Sequence, residues 1–477
     1  MAVALGPGLS FAAVLTEGGG LWVWGRKQYG VLGLGHGEEV WGETLLSPEL
    51  LGGAGVPATG DGGGDTGALA HAFGHELLVM VSAGEFHAAA VTDAGGVWVW
   101  GADFPPEPGA TPHEDGQGNF RNVPVRWDSA VCGRSPVVMV ACGRCCTLAL
   151  TCAGHVWDHG CDWREEAAPA EPVRVAGLQR ITMVAAGERA CFAVAADGRL
   201  WSWGSRAECP DDNDELLQDA TFEERNTPRV LPLAAFGGSA VLFVAACCTH
   251  GALVTDAGEL WVWGTDSTGC TGLGISPQTP QTFRKPRRVG APDAPQFAGA
   301  RVLMAACGWG HMVVLTDGGA VWTCGMGSYG ALGHQTQDYF PEPRRIPQCY
   351  FRGRPVACVA AARTSSMAVT ARGVLYSWGT RAHGHGDETT RFVPTVVAAT
   401  GPPGCRVGRT CAVPREHMLA FCLGTHLRLG NNGCAYAHTS ADAVSRIGEA
   451  AQGLRGAYLH MGEGLLRLLG VRMRVPD

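Results

Sequence analysis

The sequence predicts an all-β protein: a seven-bladed β-propeller of four-stranded blades, followed by a short C-terminal α-helical tail. Three observations lead there. Glycine supplies 70 of the 477 residues, about twice the usual share, and glycine is cheap only where a chain turns often. One spacing of glycine and aromatic residues recurs seven times. Each copy carries four short strand-like segments, as expected when small sheets repeat around an axis.

The repeat can be counted from Thr16, Thr92, Thr151, Ala195, Thr255, Thr316 and Thr370. Three residues on from each origin stands a glycine, from Gly19 to Gly373. Six on stands an aromatic residue: Trp22, Trp98, Trp157, Trp201, Trp261, Trp322 and Tyr376. Nine on stands another glycine, from Gly25 to Gly379. Trp24, Trp100, Trp203, Trp263 and Trp378 occupy the eighth place, where His159 and Cys324 are the exceptions. Of the 15 tryptophans, 11 therefore belong to the frame, which assigns them to packing between blades rather than to a ligand.

Upstream of each origin lies a small-residue strand ending near glycine, such as Met183-Val184-Ala185-Ala186-Gly187, and then a second apolar strand. Downstream comes the aromatic strand, then a loop of variable length, then a Pro-led strand such as Pro286-Arg287-Arg288-Val289. Blades stacked face to face bury both sides of their inner strands, which suits Ala-Ala-Gly near the axis. Paired tryptophans two residues apart share one face and fill the wider gap further out.

Composition narrows the class. Charged residues make up 17% and apolar residues 46% of the chain, which excludes disorder and supports a large core. A formal charge of −8 disfavours chromatin or any phosphate backbone as the main partner, although local patches can still touch one. The 19 cysteines, spread through apolar segments, suggest reduced thiols and an intracellular protein of cytoplasm or nucleus. No signal peptide or membrane-spanning run is expected.

Units such as Leu253-Val254-Thr255-Asp256-Ala257-Gly258-Glu259-Leu260-Trp261-Val262-Trp263-Gly264, followed by Gly269-Cys270-Thr271-Gly272-Leu273-Gly274, resemble the repeats of the regulator of chromosome condensation family. The resemblance covers about residues 1–430 and implies a propeller, with guanine-nucleotide exchange on a Ran-type small GTPase as the founding activity. Units two, three and four lack the Gly-x-Leu-Gly turn. An additional strand pair at Cys411–Cys422 and the N-terminal Ala2-Val3-Ala4 both suit the blade that closes the ring, and either end could supply it.

Two segments fall outside the frame. Residues 52–67 hold eight glycines and read as a loop inserted in unit one. Within residues 431–477, Val444, Ile447, Leu454, Met461, Leu465 and Leu468 follow helical spacing, predicting a helix from about Ala441 to Leu469 that needs a surface to pack on.

No catalytic motif stands out, and no cofactor or metal is expected. Cys142, Cys145, His155 and His159 copy a zinc ligand set, but the frame distributes them over separate strands. Light sensing in the plant photoreceptor branch of the family needs several tryptophans at the turn that here holds Trp309. Phe86, Cys145, Arg189, Thr249 and Thr364 stand at related places in the other units.

Arg284, Lys285, Arg287 and Arg288 in unit five and Arg344 and Arg345 in unit six make a candidate interaction rim. Asp211, Asp212, Asp214 and Glu215 make a candidate acidic loop. The expected function is a protein-protein interaction scaffold. The alternatives are exchange on a small GTPase and an adaptor for chromatin or the ubiquitin system, with no catalytic acid or base required.

Overall fold

The computed structural model describes residues 2–5, 11–15, 21–25, 30–33, 76, 78–102, 120–127, 132–144, 146–160, 171–188, 190–204, 227–290, 296–380, 385 and 389–397. Unit one contributes β1 (Ala2–Leu5), β2 (Phe11–Leu15) and β3 (Leu21–Gly25). Unit two contributes β4 (Leu78–Ala83), β5 (His87–Thr92), β6 (Val97–Ala102) and β7 (Phe120–Arg126). Unit three follows with β8 (Val137–Cys142), β9 (Thr147–Thr151), β10 (Val156–His159) and β11 (Val173–Arg174), and unit four with β12 (Ile181–Ala186), β13 (Ala190–Ala195), β14 (Leu200–Gly204) and β15 (Arg229–Leu231). Unit five holds β16 (Val241–Ala246), β17 (His250–Thr255), β18 (Leu260–Asp266) and β19 (Gln281–Arg288). Units six and seven hold β20 (Val302–Cys307), β21 (His311–Thr316), β22 (Val321–Gly325), β23 (Phe340–Arg345), β24 (Val356–Ala361), β25 (Ser365–Thr370), β26 (Leu375–Gly379) and β27 (Arg391–Val396).

Units two to seven each form a four-stranded antiparallel sheet in simple chain order. The fold is an all-β propeller of four-stranded blades. The expected seven such blades are corrected to six among the described residues, with a three-stranded sheet β1-β2-β3 beside them. Unit one departs because the stretch between β3 and β4, which contains the Gly-rich run 52–67, contributes no fourth strand among the described residues. The innermost strands follow one another around the axis, and β1 lies against β24 and β25. The N-terminal strand thus takes the inner place beside unit seven. Cys411–Cys422, the expected helix within 431–477 and the acidic loop of Asp211 to Glu215 all lie outside the described residues.

The junctions between units explain the frame. The carbonyls of five third-place glycines accept a hydrogen bond from the first residue of the next inner strand. Val137 bonds to Gly95 at 3.1 Å, Ile181 to Gly154 at 3.3 Å, Val241 to Gly198 and Val302 to Gly258 at 2.9 Å, and Val356 to Gly319 at 3.0 Å. The ninth-place glycines answer a different constraint. Gly264 has φ +105°, and a Cβ there would sit 2.4 Å from the Thr249 carbonyl and 2.6 Å from His250 Cα. Only glycine tolerates both the dihedral and the approach of the preceding turn.

Second strands β5, β13, β17, β21 and β25 are buried along their whole length, because a neighbouring sheet covers each face. Eighth-place Trp24, Trp100, Trp203, Trp263 and Trp378 are at most 3% exposed. Sixth-place Trp98, Trp157, Trp201, Trp261 and Trp322 lie further out and are half-buried. Phe236 of unit four meets Trp261 of unit five edge to face at 6.0 Å, and Phe297 of unit five meets Trp322 of unit six at 5.5 Å. Phe351 of unit six meets Tyr376 of unit seven at 5.3 Å. Trp22 lies on β3, and its side chain is outside the described residues. No helix among the described residues is long and apolar enough to cross a membrane.

Candidate interaction face at the first turns

Simple up-and-down order divides the connections between two ends of the propeller. The short turns between first and second strands share one end with the long loops that lead from third to fourth strands. Strand register places Glu85, Arg144, Glu188, Cys248, Trp309 and Arg363 level with one another on those short turns, each seven residues before its repeat origin. This corrects the sequence comparison. Phe86, Cys145, Arg189, Thr249 and Thr364 stand six residues before theirs, one position out of step with Trp309.

The first turns interact around this end. The Glu85 N–H donates to the Gly143 carbonyl at 3.1 Å and the Arg144 N–H to the Gly187 carbonyl at 3.2 Å. The Arg144 guanidinium pairs with Glu85 at 3.3 Å and also with Glu188, and lies 5.8 Å from the Phe86 ring. Units two to four are therefore linked by compensated charge.

Units five to seven carry something different. The Arg363 guanidinium sits 5.0 Å over the Trp309 ring, in the range of a cation–π contact. Trp309 is 37% exposed, and Tyr329 and Tyr339, from the long loop of the same unit, are 42% and 41% exposed. The backbone beneath them is tied by hydroxyls. Thr249 donates to the Trp309 carbonyl at 3.2 Å, Thr268 to the Gly310 carbonyl at 2.9 Å, and Thr380 to the Tyr329 carbonyl at 3.1 Å. Thr364 in turn donates to the Thr380 carbonyl at 2.9 Å. Exposed aromatic rings on a backbone fixed in this way are pre-organised for contact.

Titratable groups below this surface are enclosed. His87 Nε2 meets Thr147 Oγ1 and His311 Nε2 meets Ser366 Oγ, each at 2.9 Å across a unit boundary. Burial pushes both imidazoles down to about 4. His250 has Met312 at the position equivalent to Thr147 and Ser366, and turns instead to Cys247, with Sγ 3.2 Å from Nδ1. Burial opposes charge on both. Their attraction outweighs it for His250, which is raised, while hydrogen bonding from Cys248 and the His250 charge lower Cys247. Cys247 and His250 are each 3% exposed, so this pair presents no nucleophile to a substrate.

Of the zinc-like residues, Cys142 and His159 lie on strands that are not neighbours. Cys142 ends β8 and His159 ends β10, strands separated by β9, and the His159 ring packs edge-on against Trp127 at 5.4 Å. Among the described residues no group of three or more His, Cys, Asp or Glu is placed to hold a metal.

The sequence-derived rim occupies a different region. Arg284, Lys285, Arg287 and Arg288 are exposed on β19, and Arg344 and Arg345 are exposed on β23. Both are edge strands of their sheets. Tyr329, Tyr339 and Arg363 had no signal in the frame, because turns and inserted loops vary freely between units.

A family model for the RCC1-like domain matches residues 62–420. The chain belongs to the RCC1-like domain family. Mouse secretion-regulating guanine nucleotide exchange factor is 28% identical over 436 residues, covering 82% of this chain and 83% of its own. The ultraviolet-B receptor UVR8 of Arabidopsis thaliana is 28% identical over 374 residues, covering 74% of this chain and 78% of its own. The RCC1-like fold also matches the solved structure of Saccharomyces cerevisiae Prp20p, described with its binding to Gsp1p and histones. The TM-score is 0.59 at 20% identity, over 84% of this chain and 88% of that one.

Proposed function

We propose that this RCC1-like propeller is a non-enzymatic interaction scaffold inside the cell, and that a protein partner docks on the first-turn end of units five to seven. One observation carries the reading: the exposed Trp309–Arg363 stack flanked by Tyr329 and Tyr339. Trp, Tyr and Arg are the residue types that dominate interface energetics, because they combine large apolar area with a polar handle. Hydroxyl bonds between neighbouring loops lower the ordering cost of binding.

A second reading is nucleotide exchange on a small GTPase. It is favoured by the mouse relative named as a guanine nucleotide exchange factor. Exchange requires only a surface that binds the nucleotide-free state better than the loaded one. The full chain and its Trp309→Ala variant should be mixed with a panel of small GTPases carrying a fluorescent guanine nucleotide. Unchanged release across the panel supports the scaffold; faster release that depends on Trp309 assigns the same surface to exchange.

A further inference from the structure

The outer strands of units five and six repeat a motif the frame does not require. Phe283-Arg284-Lys285-Pro286-Arg287-Arg288 on β19 and Phe340-Pro341-Glu342-Pro343-Arg344-Arg345 on β23 both read Phe-x-x-Pro-Arg-Arg. In each, the first arginine of the pair lies over the phenylalanine of its own strand. Arg287 is 5.9 Å from the Phe283 ring and Arg344 is 4.5 Å from the Phe340 ring. Residues four apart on a strand share a face, so the stacking is local and leaves the guanidinium donors pointing outward. Phe340 is itself braced by an edge-on contact with His334 at 5.1 Å. The two strands belong to one surface, since the Gly274 N–H, in the loop leading to β19, donates to the Pro341 carbonyl of β23 at 2.9 Å.

Charge on this surface opposes that of the whole. Six cations stand on the two strands beside one carboxylate, Glu342, in a chain of net charge −8. Glu259 takes Arg288 at 3.2 Å, whereas Arg284, Lys285 and Arg345 have no carboxylate partner among the described residues. The edge is also unsuited to main-chain pairing, because Pro286, Pro341 and Pro343 remove backbone donors from it. A ligand here must be recognised by side chains.

We infer that the twin Phe-x-x-Pro-Arg-Arg strands bind an acidic protein segment, with Arg287 and Arg344 as pre-oriented forks for its carboxylates. Planar guanidinium groups match carboxylates in bidentate fashion. Discrete carboxylates on a flexible segment can avoid Glu342. A nucleic acid, with a phosphate charge at close, regular intervals, meets both Glu342 and the overall negative charge. The inference assigns a partner chemistry to a second surface within the scaffold reading, and its failure leaves the Trp309 surface untouched.

The test uses the full chain and a fluorescein-labelled peptide of alternating Asp and Glu, with single-stranded DNA of equal length as the competing polyanion. Circular dichroism and melting establish that every variant is folded. Saturable peptide binding is expected to weaken at least tenfold in the Arg287→Ala/Arg344→Ala double variant and severalfold in Arg287→Lys/Arg344→Lys, which keeps charge and loses the fork. Arg174→Ala, on the outer strand of unit three, should bind as the parent does. No saturable binding, equal affinity in the double alanine variant, equal loss in Arg174→Ala, or tighter binding of the DNA each overturns the inference. The first two outcomes would leave the arginines as charges that keep the sheet edges from pairing with other chains.

Discussion

The indole N–H of Trp378 donates to the carbonyl of Ala331 at 2.7 Å, across the boundary between units six and seven. The same bond joins units one and two, where Trp100 donates to Val31 at 2.8 Å, and a weaker version joins five and six, from Cys324 Sγ to the Cys270 carbonyl at 3.6 Å. Val31, Cys270 and Ala331 all lie in the Gly-rich turns that units one, five and six retain. The turn of one unit therefore receives the eighth-place side chain of the next, linking two sequence features that look independent.

Trp378→Phe, which keeps most of the ring and removes the donor, is expected to lower stability by about 0.5–1.5 kcal/mol, because the Ala331 carbonyl loses one of its two bonds and keeps the one from the Ser366 hydroxyl at 2.9 Å. Trp378→Ala adds a cavity and should cost about 3–5 kcal/mol. Chemical denaturation of both variants checks the order, and no loss in Trp378→Phe would show that the hydrogen bond contributes nothing beyond packing.

Gly264→Ala is expected to destabilise by about 2 kcal/mol or more, since it combines an unfavourable dihedral with a close approach to the turn before His250. Thermal melting reads this directly. A change within about 0.5 kcal/mol, the usual range for harmless surface substitutions, would mean that the turn relaxes.

Acid should loosen the ring. Burial holds His87 and His311 near 4, and it holds His334 near 4 with help from the Arg344 charge, whereas the unfolded chain protonates histidine near 6.5. The unfolded state therefore binds more protons between those values, and stability is lost as pH falls from about 6.5 towards 4. His250 is raised and contributes with the opposite sign: its share is present below the unfolded value and fades as pH rises through its own. Melting temperature against pH should be flatter in His311→Asn. It should be steeper in Cys247→Ala, where His250 loses the partner that raises it.

The frame made the strand order and the inter-unit tryptophans legible because each junction reuses one geometry, such as the bond from Val302 to the Gly258 carbonyl. Ring closure was not legible. Ala2-Val3-Ala4 and Cys411–Cys422 carry the same small, apolar pattern, and only packing against β24 distinguishes the strand that lies there. The aromatic partners Phe236, Phe297 and Phe351 were missed although a fixed spacing marks them: each stands 19 residues before a repeat origin, Thr255, Thr316 and Thr370, in connections that the frame did not include. Trp309 stood out in the sequence but was compared with Phe86, Cys145, Arg189, Thr249 and Thr364, one position out of step, and such an offset compares side chains that point to different sides.

The most direct measurement places a photo-crosslinking amino acid at position 329 of the full chain in cells and identifies what it captures, with and without Trp309→Ala. The account predicts a discrete protein adduct that disappears in the Trp309→Ala chain while the melting temperature stays the same. An adduct pattern unaffected by Trp309→Ala, or none at all from a folded chain, would contradict the assignment of this end of the propeller as the docking face.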